Sequence, residues 1–144
     1  MNWEIATYDD NISLHDNLVD AIIIDENITF IFNDGFDVTK EHSKNSTGRH
    51  KHTGKSAVIM KNAKYINGES YDTSLSISLD KMKALNLEIL SFDFDKQSKI
   101  VKIDADTHNP CDSCTFTIRC TEVIYCWNEF TDDAWFQDWN TQNL

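Results

Sequence analysis

Short segments in which apolar and polar residues alternate dominate this chain, and such alternation is typical of half-buried β-strands. The clearest segments are Ser74–Leu79, Leu87–Asp95 and Ser98–Asp106. The last two flank the polar dipeptide Lys96-Gln97, so we predict that they form a β-hairpin. Segments rich in β-branched and aromatic residues predict further strands at Leu18–Asp25, Ile28–Phe32, Phe36–Thr39, Ser56–Met60, Lys64–Ile66, Thr115–Arg119 and Glu122–Trp127.

Polar pairs between the strand segments predict tight turns. Glu26-Asn27 suits a two-residue hairpin connection between the first two strands. Asn67-Gly68 is a second turn signal, because both residues tolerate a positive φ angle. We therefore expect consecutive strands to pair as antiparallel neighbours.

Helix signals are few and short. Asp80 can cap one or two turns that run to Leu85. Residues 131–139 predict a C-terminal helix with Trp135 and Trp139 on one face, four residues apart. We therefore expect one domain over residues 1–144, mainly β (α+β). Its architecture would be a curved antiparallel sheet or sandwich of about seven to nine strands, with one or two short helices.

The composition describes an acidic protein with enough apolar residues for a core. Thirteen Lys and Arg face 24 Asp and Glu, so the formal charge is −11, and 40% of the residues are hydrophobic. This charge argues against a protein that wraps nucleic acid or binds an anionic membrane surface. The first residues hold no basic, apolar export signal, so we expect a cytoplasmic protein.

The four cysteines are expected to be reduced thiols in that compartment. Cys111 and Cys114 have the spacing of a metal-ligand pair. Cys120 and Cys126, however, lie in strand-like sequence and would be about 20 Å apart on a straight strand. We therefore predict no metal and no cofactor.

Residues 40–55, the basic segment, carry five basic residues and one acid, a charge of +4 that leaves −15 on the rest. His50 and His52 lie within it, but the neighbouring Arg49 and Lys51 would oppose a metal ion. Residues 53–56 (Thr-Gly-Lys-Ser) resemble the end of a phosphate-binding loop. Arg49 occupies the position of that motif's first glycine, and a strand follows instead of a helix, so we expect a turn entering a strand.

The last 17 residues, 128–144, form an acidic aromatic tail without Lys or Arg. Large rings anchor protein interfaces, and carboxylates steer basic partners towards them. We therefore predict a partner-binding surface, unless the rings instead cover the sheet. Its candidate residues are Glu129, Asp132, Asp133, Trp135, Asp138 and Trp139.

A small acidic β-rich chain without a catalytic signature resembles the immunity proteins of bacterial polymorphic and contact-dependent toxin systems. The segment from Leu14-His15-Asp16 to Asn33-Asp34-Gly35-Phe36 also resembles the opening of small bacterial β-sheet proteins, in which a His-Asp pair precedes a hairpin that ends in Asp-Gly. The resemblance implies a non-enzymatic inhibitor that neutralises a cognate toxin, such as a basic nuclease, with acidic surface.

Other functions remain open from the sequence. The sheet could carry a pocket for a small ligand or an enzymatic substrate. The aromatic tail could close a homodimer. The basic segment could contact nucleic acid as an arm on an acidic body.

Overall fold

Fourteen strands and one short helix form the described part of this computed structural model, which comprises residues 3–108 and 111–138. The strands are β1 (Glu4–Thr7), β2 (Ile12–Ser13), β3 (Leu18–Val19), β4 (Ala21–Ile24), β5 (Ile28–Phe32), β6 (Asp37–Val38), β7 (Lys51–Thr53), β8 (Ser56–Lys61), β9 (Lys64–Ser70), β10 (Leu87–Asp95), β11 (Ile100–His108), β12 (Cys111–Arg119), β13 (Glu122–Trp127) and β14 (Phe130–Asp133). The helix α1 spans Leu79–Lys83. Within the described residues, no helix has the length and apolar character needed to cross a membrane.

The strands build three sheets in which every neighbouring pair is antiparallel. Sheet I has the order β1-β13-β8-β5-β4, sheet II the order β3-β10-β11-β12-β9, and sheet III the order β14-β7-β6-β2. The predicted mainly β, antiparallel class is confirmed. The strand count exceeds the predicted seven to nine because Leu18–Asp25 breaks at Asp20 and because sheet III uses strands of two to four residues.

Sheets I and II contribute their inner faces to one hydrophobic cluster. Phe30 and Val58 of sheet I and Ile103 and Phe116 of sheet II are all fully buried. Burial of each such side chain contributes about 1.5–3 kcal/mol to folding. The apolar positions of the alternating segments are therefore the ones that face this core.

The predicted hairpin of Leu87–Asp95 and the following segment is confirmed as β10 and β11. Its register runs from Leu87 opposite Thr107 to Asp95 opposite Ile100. A bulge lies between Ile89 and Ser91. The first hairpin, β4–β5, has Ile24 opposite Ile28, so its loop holds three residues and the predicted two-residue connection is wrong.

The predicted turn at Asn67-Gly68 is wrong, because β9 continues through both residues and pairs with β12. The register shifts between Tyr65 and Asn67, so a bulge absorbs the irregularity. A Cβ atom on Gly68 would lie 2.6 Å from the Phe116 ring. Glycine is therefore needed for close packing here and not for a turn.

The predicted strand Ser74–Leu79 is also wrong, since only Ser76 forms a single bridge, to Glu69. Helix α1 begins at Leu79, and the Ser78 hydroxyl, not Asp80, accepts the capping hydrogen bond from the Lys81 N–H at 3.2 Å. A serine before a short apolar stretch competes with strand structure by forming such a cap.

The predicted C-terminal helix over residues 131–139 is wrong within the described residues. Phe130–Asp133 form β14, which pairs with β7, and residues 135–138 form a turn. Without β14, the backbone N–H and C=O groups along the edge of β7 would lack hydrogen-bond partners, and pairing with β14 supplies those partners. Trp139 lies outside the described residues.

Candidate functional site

A cavity of about 710 Å³ lies where the end of β1 meets the turn between β10 and β11. A second cavity of about 210 Å³ shares three of its lining residues, Tyr8, Asp10 and Asp93. We call the two together the acidic groove. Their combined size is within the range of protein binding sites for ligands or for protruding side chains.

Two turns hold the acidic walls in place. After β1, the Asp9 carboxylate accepts a hydrogen bond from the Asn11 N–H at 2.7 Å. In the β10–β11 turn, the Asp95 carboxylate accepts from the N–H groups of Gln97 and Ser98 at 2.9 and 3.3 Å. These N–H groups lower the pKa of Asp95, so that side chain is an anion fixed to its own turn.

Aromatic rings form the floor of the acidic groove. Tyr8 stacks on Tyr125 with ring centroids 6.1 Å apart, and its edge meets Phe94 at 5.6 Å. Tyr125 is 1% exposed, and burial raises its pKa well above the ordinary value. Its hydroxyl lines the second cavity and makes no hydrogen bond to any residue that the structure describes. Water can reach this hydroxyl from the cavity, since Asp112 Oδ1 is the buried side-chain atom that lacks a hydrogen-bond partner among the described residues.

The charge of the acidic groove is unbalanced. Four aspartates line the larger cavity, and its two lysines, Lys96 and Lys102, leave a formal charge of −2. Asp10 and Asp93 form no ion pair with a described residue. Both also raise the pKa of Tyr125, so they lie close enough to act on its hydroxyl. The groove therefore offers two carboxylates that are free of ion pairs with described residues, beside the Tyr125 ring.

The acidic aromatic tail reaches the far end of this groove through one residue. Trp135 is 47% exposed, and its ring lies 6.2 Å from that of His15. His15 itself lines the second cavity. One predicted interface residue, Trp135, is thus adjacent to a site that the sequence did not indicate.

The basic segment neutralises part of the tail. The Arg49 guanidinium donates to one Asp133 oxygen at 2.8 and 3.0 Å, and Lys51 Nζ donates to the other at 2.9 Å. These cations lower the pKa of Asp133 to about 2. Arg49 also lies 3.4 Å from Asp138. Two of the predicted steering carboxylates therefore have internal partners, which the sequence could not indicate.

The other predicted interface residues differ in their surroundings. The Glu129 side chain is exposed, while its backbone carbonyl accepts a hydrogen bond from the Gly54 N–H at 2.8 Å. Asp132 is exposed on β14, and its charge helps to raise the pKa of His52. Trp139 lies outside the described residues. The structure thus brings together Asp133 and Asp138, through Arg49, but not the whole set.

His50 and His52, two residues apart in the sequence, make separate contacts. The His50 ring lies 5.1 Å from the Phe136 ring and accepts a hydrogen bond from the Lys40 N–H. The His52 ring contacts the Asp37 carboxylate at 2.7 Å. Gly54 and Lys55 link the end of β7 at Thr53 to the start of β8 at Ser56, which is the turn into a strand that the sequence predicted.

Two of the cysteines, Cys111 and Cys114, lie on β12, while Cys120 follows the end of that strand and Cys126 lies on β13. Cys114 and Cys120 are buried free thiols, and burial raises the pKa of Cys120 to about 11. Cys126 is a half-buried free thiol on sheet I. The side chain of Cys111, the first member of the Cys111–Cys114 pair, lies outside what the structure describes.

Sequence reasoning missed the acidic groove entirely. Its signals were present as Tyr-Asp-Asp at residues 8–10 and Phe-Asp-Phe-Asp at residues 92–95. Neither segment is unusual by itself, and only the fold brings the two segments together in one groove.

No family model matches the chain, and no curated protein or solved structure is similar to it at a significant level. The case for a function therefore rests on the groove and the tail.

Proposed function

We propose that this chain is a protein-binding inhibitor of the immunity-protein kind, which acts in the cytoplasm and neutralises a basic protein toxin. The observation that carries the proposal is the acidic groove, in which the carboxylates of Asp10 and Asp93 form no ion pair with a described residue and line one cavity with Tyr125. The overall charge of −11 would steer a basic protein towards this chain at long range.

A Lys or Arg side chain of the partner fits the chemistry of the groove. Its cation would be held by Asp10 and Asp93, and its N–H groups would satisfy the Tyr125 hydroxyl oxygen. The Tyr8 ring adds a face for a cation–π contact. Asp10 and Asp93 are exposed, so binding would exchange their water for charge-assisted hydrogen bonds, which are about twice as strong as neutral ones.

Trp135 supplies the second part of the proposed surface. It is half exposed beside His15 at the end of the groove, where an aromatic anchor and an acidic cleft would contact one partner together. Asp132 and Glu129 are exposed carboxylates of the same tail that would add steering charge. Asp133 and Asp138 would contribute less, because Arg49 holds them.

The test needs a candidate toxin, which we would take from a neighbouring open reading frame that encodes a small basic domain. We expect Asp10→Asn/Asp93→Asn to weaken binding by about tenfold or more, since each hydrogen bond to a charged group is worth about 1.5–3 kcal/mol. Association should also slow and lose part of its salt dependence. Surface plasmon resonance at two salt concentrations measures both effects.

A matched control removes the same charge elsewhere. Glu26→Gln/Glu69→Gln alters two exposed carboxylates that line neither cavity of the groove. It should change the dissociation constant by less than about twofold, as expected for exposed charges outside an interface. Equal losses for the two double variants would refute the groove as the binding site.

The alternative function is a small-ligand protein, which the cavity volume of about 710 Å³ also supports. The same carboxylates would then bind a free organic cation. Calorimetric titration with spermidine and with arginine distinguishes the two functions. Micromolar binding of either, lost in Asp10→Asn/Asp93→Asn, would favour the small-ligand function over the inhibitor.

A further inference from the structure

Residues 71–78, which connect β9 to α1, cover a cavity of about 220 Å³ beside sheet II. We call this segment the lid and the space below it the lid cavity. Thr73 and Ile77 of the lid line the cavity together with Asp112 and Cys114 of β12. The Cys114 side chain is 2% exposed, so the closed lid keeps this thiol away from solvent.

Backbone hydrogen bonds attach both ends of the lid to sheet II. The Tyr71 N–H donates to the Ser113 carbonyl at 2.8 Å, and the Ile77 N–H donates to the Gly68 carbonyl at 2.8 Å. Between these attachments, Ser74 has a φ angle of 58°, a conformation that residues other than glycine seldom adopt. The lid thus has two attached ends and a strained turn between them.

One oxygen of the Asp112 carboxylate lacks a partner at the lid cavity. Its Oδ2 atom accepts a hydrogen bond from the Ser70 hydroxyl at 2.6 Å and lies 3.9 Å from Sγ of Cys114. Its Oδ1 atom is buried and accepts no hydrogen bond from any described residue. Buried carboxylate oxygens normally accept hydrogen bonds, so this arrangement is short of one donor.

A proton on Asp72 fits the place of the missing donor. The described residues contain no group of three His, Cys, Asp or Glu side chains that could hold a metal ion instead. The side chain of Asp72, on the lid, lies within hydrogen-bonding reach of Asp112, and this contact raises the pKa of Asp72 above its ordinary 3.8. The Ser70 hydroxyl lowers the pKa of Asp112, and the contact with Asp72 adds to this effect. Two such carboxyl groups titrate as a pair that holds one proton over the interval between their pKa values.

The other charged groups around this pair do not neutralise it. Two further carboxylates, those of Asp104 and Asp106 on β11, accept hydrogen bonds from hydroxyl groups of the lid and of β12. On α1, Lys81 lines the lid cavity but forms no ion pair with a described residue. Without the shared proton, Asp72 and Asp112 would therefore repel each other as two anions.

We propose that pH opens and closes the lid, which is closed while Asp72 and Asp112 share one proton and opens when both carboxyl groups are ionised. The closed lid raises the pKa of Asp72, so the stabilisation from its proton is complete below pH 3.8 and is lost as the pH rises through the raised pKa. Opening gives solvent access to the lid cavity and to Cys114. The lid cavity shares no lining residue with the acidic groove, so this proposal is independent of toxin binding.

Hydrogen exchange of the Ser74 amide measures the opening of the lid, because this N–H donates to the Ser70 carbonyl at 2.9 Å in the closed form. We expect its protection factor, which is corrected for the intrinsic pH dependence of exchange, to fall by about threefold or more between pH 4 and pH 7.5. The Thr121 amide, which donates to the Lys61 carbonyl at 2.9 Å away from the lid, is the internal reference. A Ser74 protection factor that changes only as much as that of Thr121 would overturn the proposal.

Asp72→Asn replaces the titrating donor with an amide that donates at every pH. The lid of this variant should stay closed, so its Ser74 amide should exchange about threefold or more slowly than that of the wild type at pH 7.5. The control Asp80→Asn removes the same charge from an exposed residue of α1 that does not line the lid cavity, and it should keep the wild-type pH dependence. An Asp72→Asn protein that retains this pH dependence, or an Asp80→Asn protein that loses it, would refute the role of the shared proton.

The reaction of Cys114 with dithiodipyridine separates lid opening from a simple effect of charge. Burial raises the pKa of this thiol, and three nearby carboxylates raise it further, those of Asp112, Asp106 and Asp72. Removal of the Asp72 charge alone would therefore make the thiol more reactive. We expect the opposite at pH 7.5, a slower reaction in Asp72→Asn than in the wild type, because the closed lid keeps the thiol buried. Mass spectrometry of the Cys114 peptide measures the rate, and a faster reaction in the variant would overturn the proposal.

Discussion

A buried ion pair between β6 and β7 should make the stability of this protein depend on pH. Nδ1 of His52 lies 2.7 Å from a carboxylate oxygen of Asp37, and Nε2 contacts the backbone carbonyl of Asp34. Both ring nitrogens thus face acceptors, so both must carry a proton. The hydrogen bond to Asp37 raises the pKa of His52 above its ordinary 6.5. The protonated ring therefore stabilises the fold fully below pH 6.5, and this stabilisation is lost as the pH rises through the folded-state pKa.

The burial and hydrogen bonds of Asp37 and His52 determine how much stability a substitution at either residue should cost. Asp37 is fully buried, and among the described residues its other oxygen accepts a hydrogen bond only from the Asn17 amide, at 3.4 Å. Removing one partner of a buried pair costs about 3–5 kcal/mol. The His52 side chain is 25% exposed, so water reaches the site, and we expect His52→Gln to cost about 3 kcal/mol. Asp37→Asn should cost about 2 kcal/mol, the value of a hydrogen bond to a charged group.

Urea denaturation at pH 6 and pH 9, followed by tryptophan fluorescence, measures these differences. The wild type should lose more free energy of unfolding over this interval than either variant. The other histidines are common to all three proteins, so the comparison isolates the pair. If Asp37→Asn loses as much as the wild type between the two pH values, the charged pair is not the cause.

Three further predictions concern other parts of the fold. The carboxyl carbon of Asp133 should titrate by NMR with a pKa of about 2, and Arg49→Ala should move that pKa towards the ordinary 3.8; an unmoved pKa would contradict the pairing. Gly68→Ala should lower the free energy of unfolding in urea by about 1–3 kcal/mol, because the new methyl group meets the Phe116 ring. Met82→Ala should cost about 2–5 kcal/mol by the same assay, because this fully buried side chain anchors α1, and a loss below 1 kcal/mol would contradict that role.

The sequence predicted those features of the fold that depend on residues close together in the chain. The β10–β11 hairpin was found because its strands alternate clearly and a polar turn separates them. The helix predicted over residues 131–139 was wrong. The spacing of Trp135 and Trp139 suits a helix, but β14 forms its hydrogen bonds with β7, which lies about 80 residues earlier in the chain. Local propensity cannot weigh such a distant partner.

The division into three sheets and the groove depend on register, which alternation alone does not fix. Asp10 and Asp93 meet only because β1 pairs with β13 and because the β10–β11 turn lies beside the end of β1. The predicted interface stays a prediction, but the internal partners of two of its carboxylates were missed for the same reason. Charge counts showed a basic segment and an acidic tail, but only the pairing of β7 with β14 brings Arg49 to Asp133.

The pairing of β1 with β13 also constrains when the protein can begin to work. Within the described residues, β13 is the only sheet partner of β1, and it leaves the ribosome more than a hundred residues later. Tyr8, just after β1, cannot stack on Tyr125 of β13 until then. Non-local pairing of this kind forms late and slowly. A nascent or truncated chain that lacks β13 has no floor to its groove, so the binding proposed here is available only after synthesis has passed that strand.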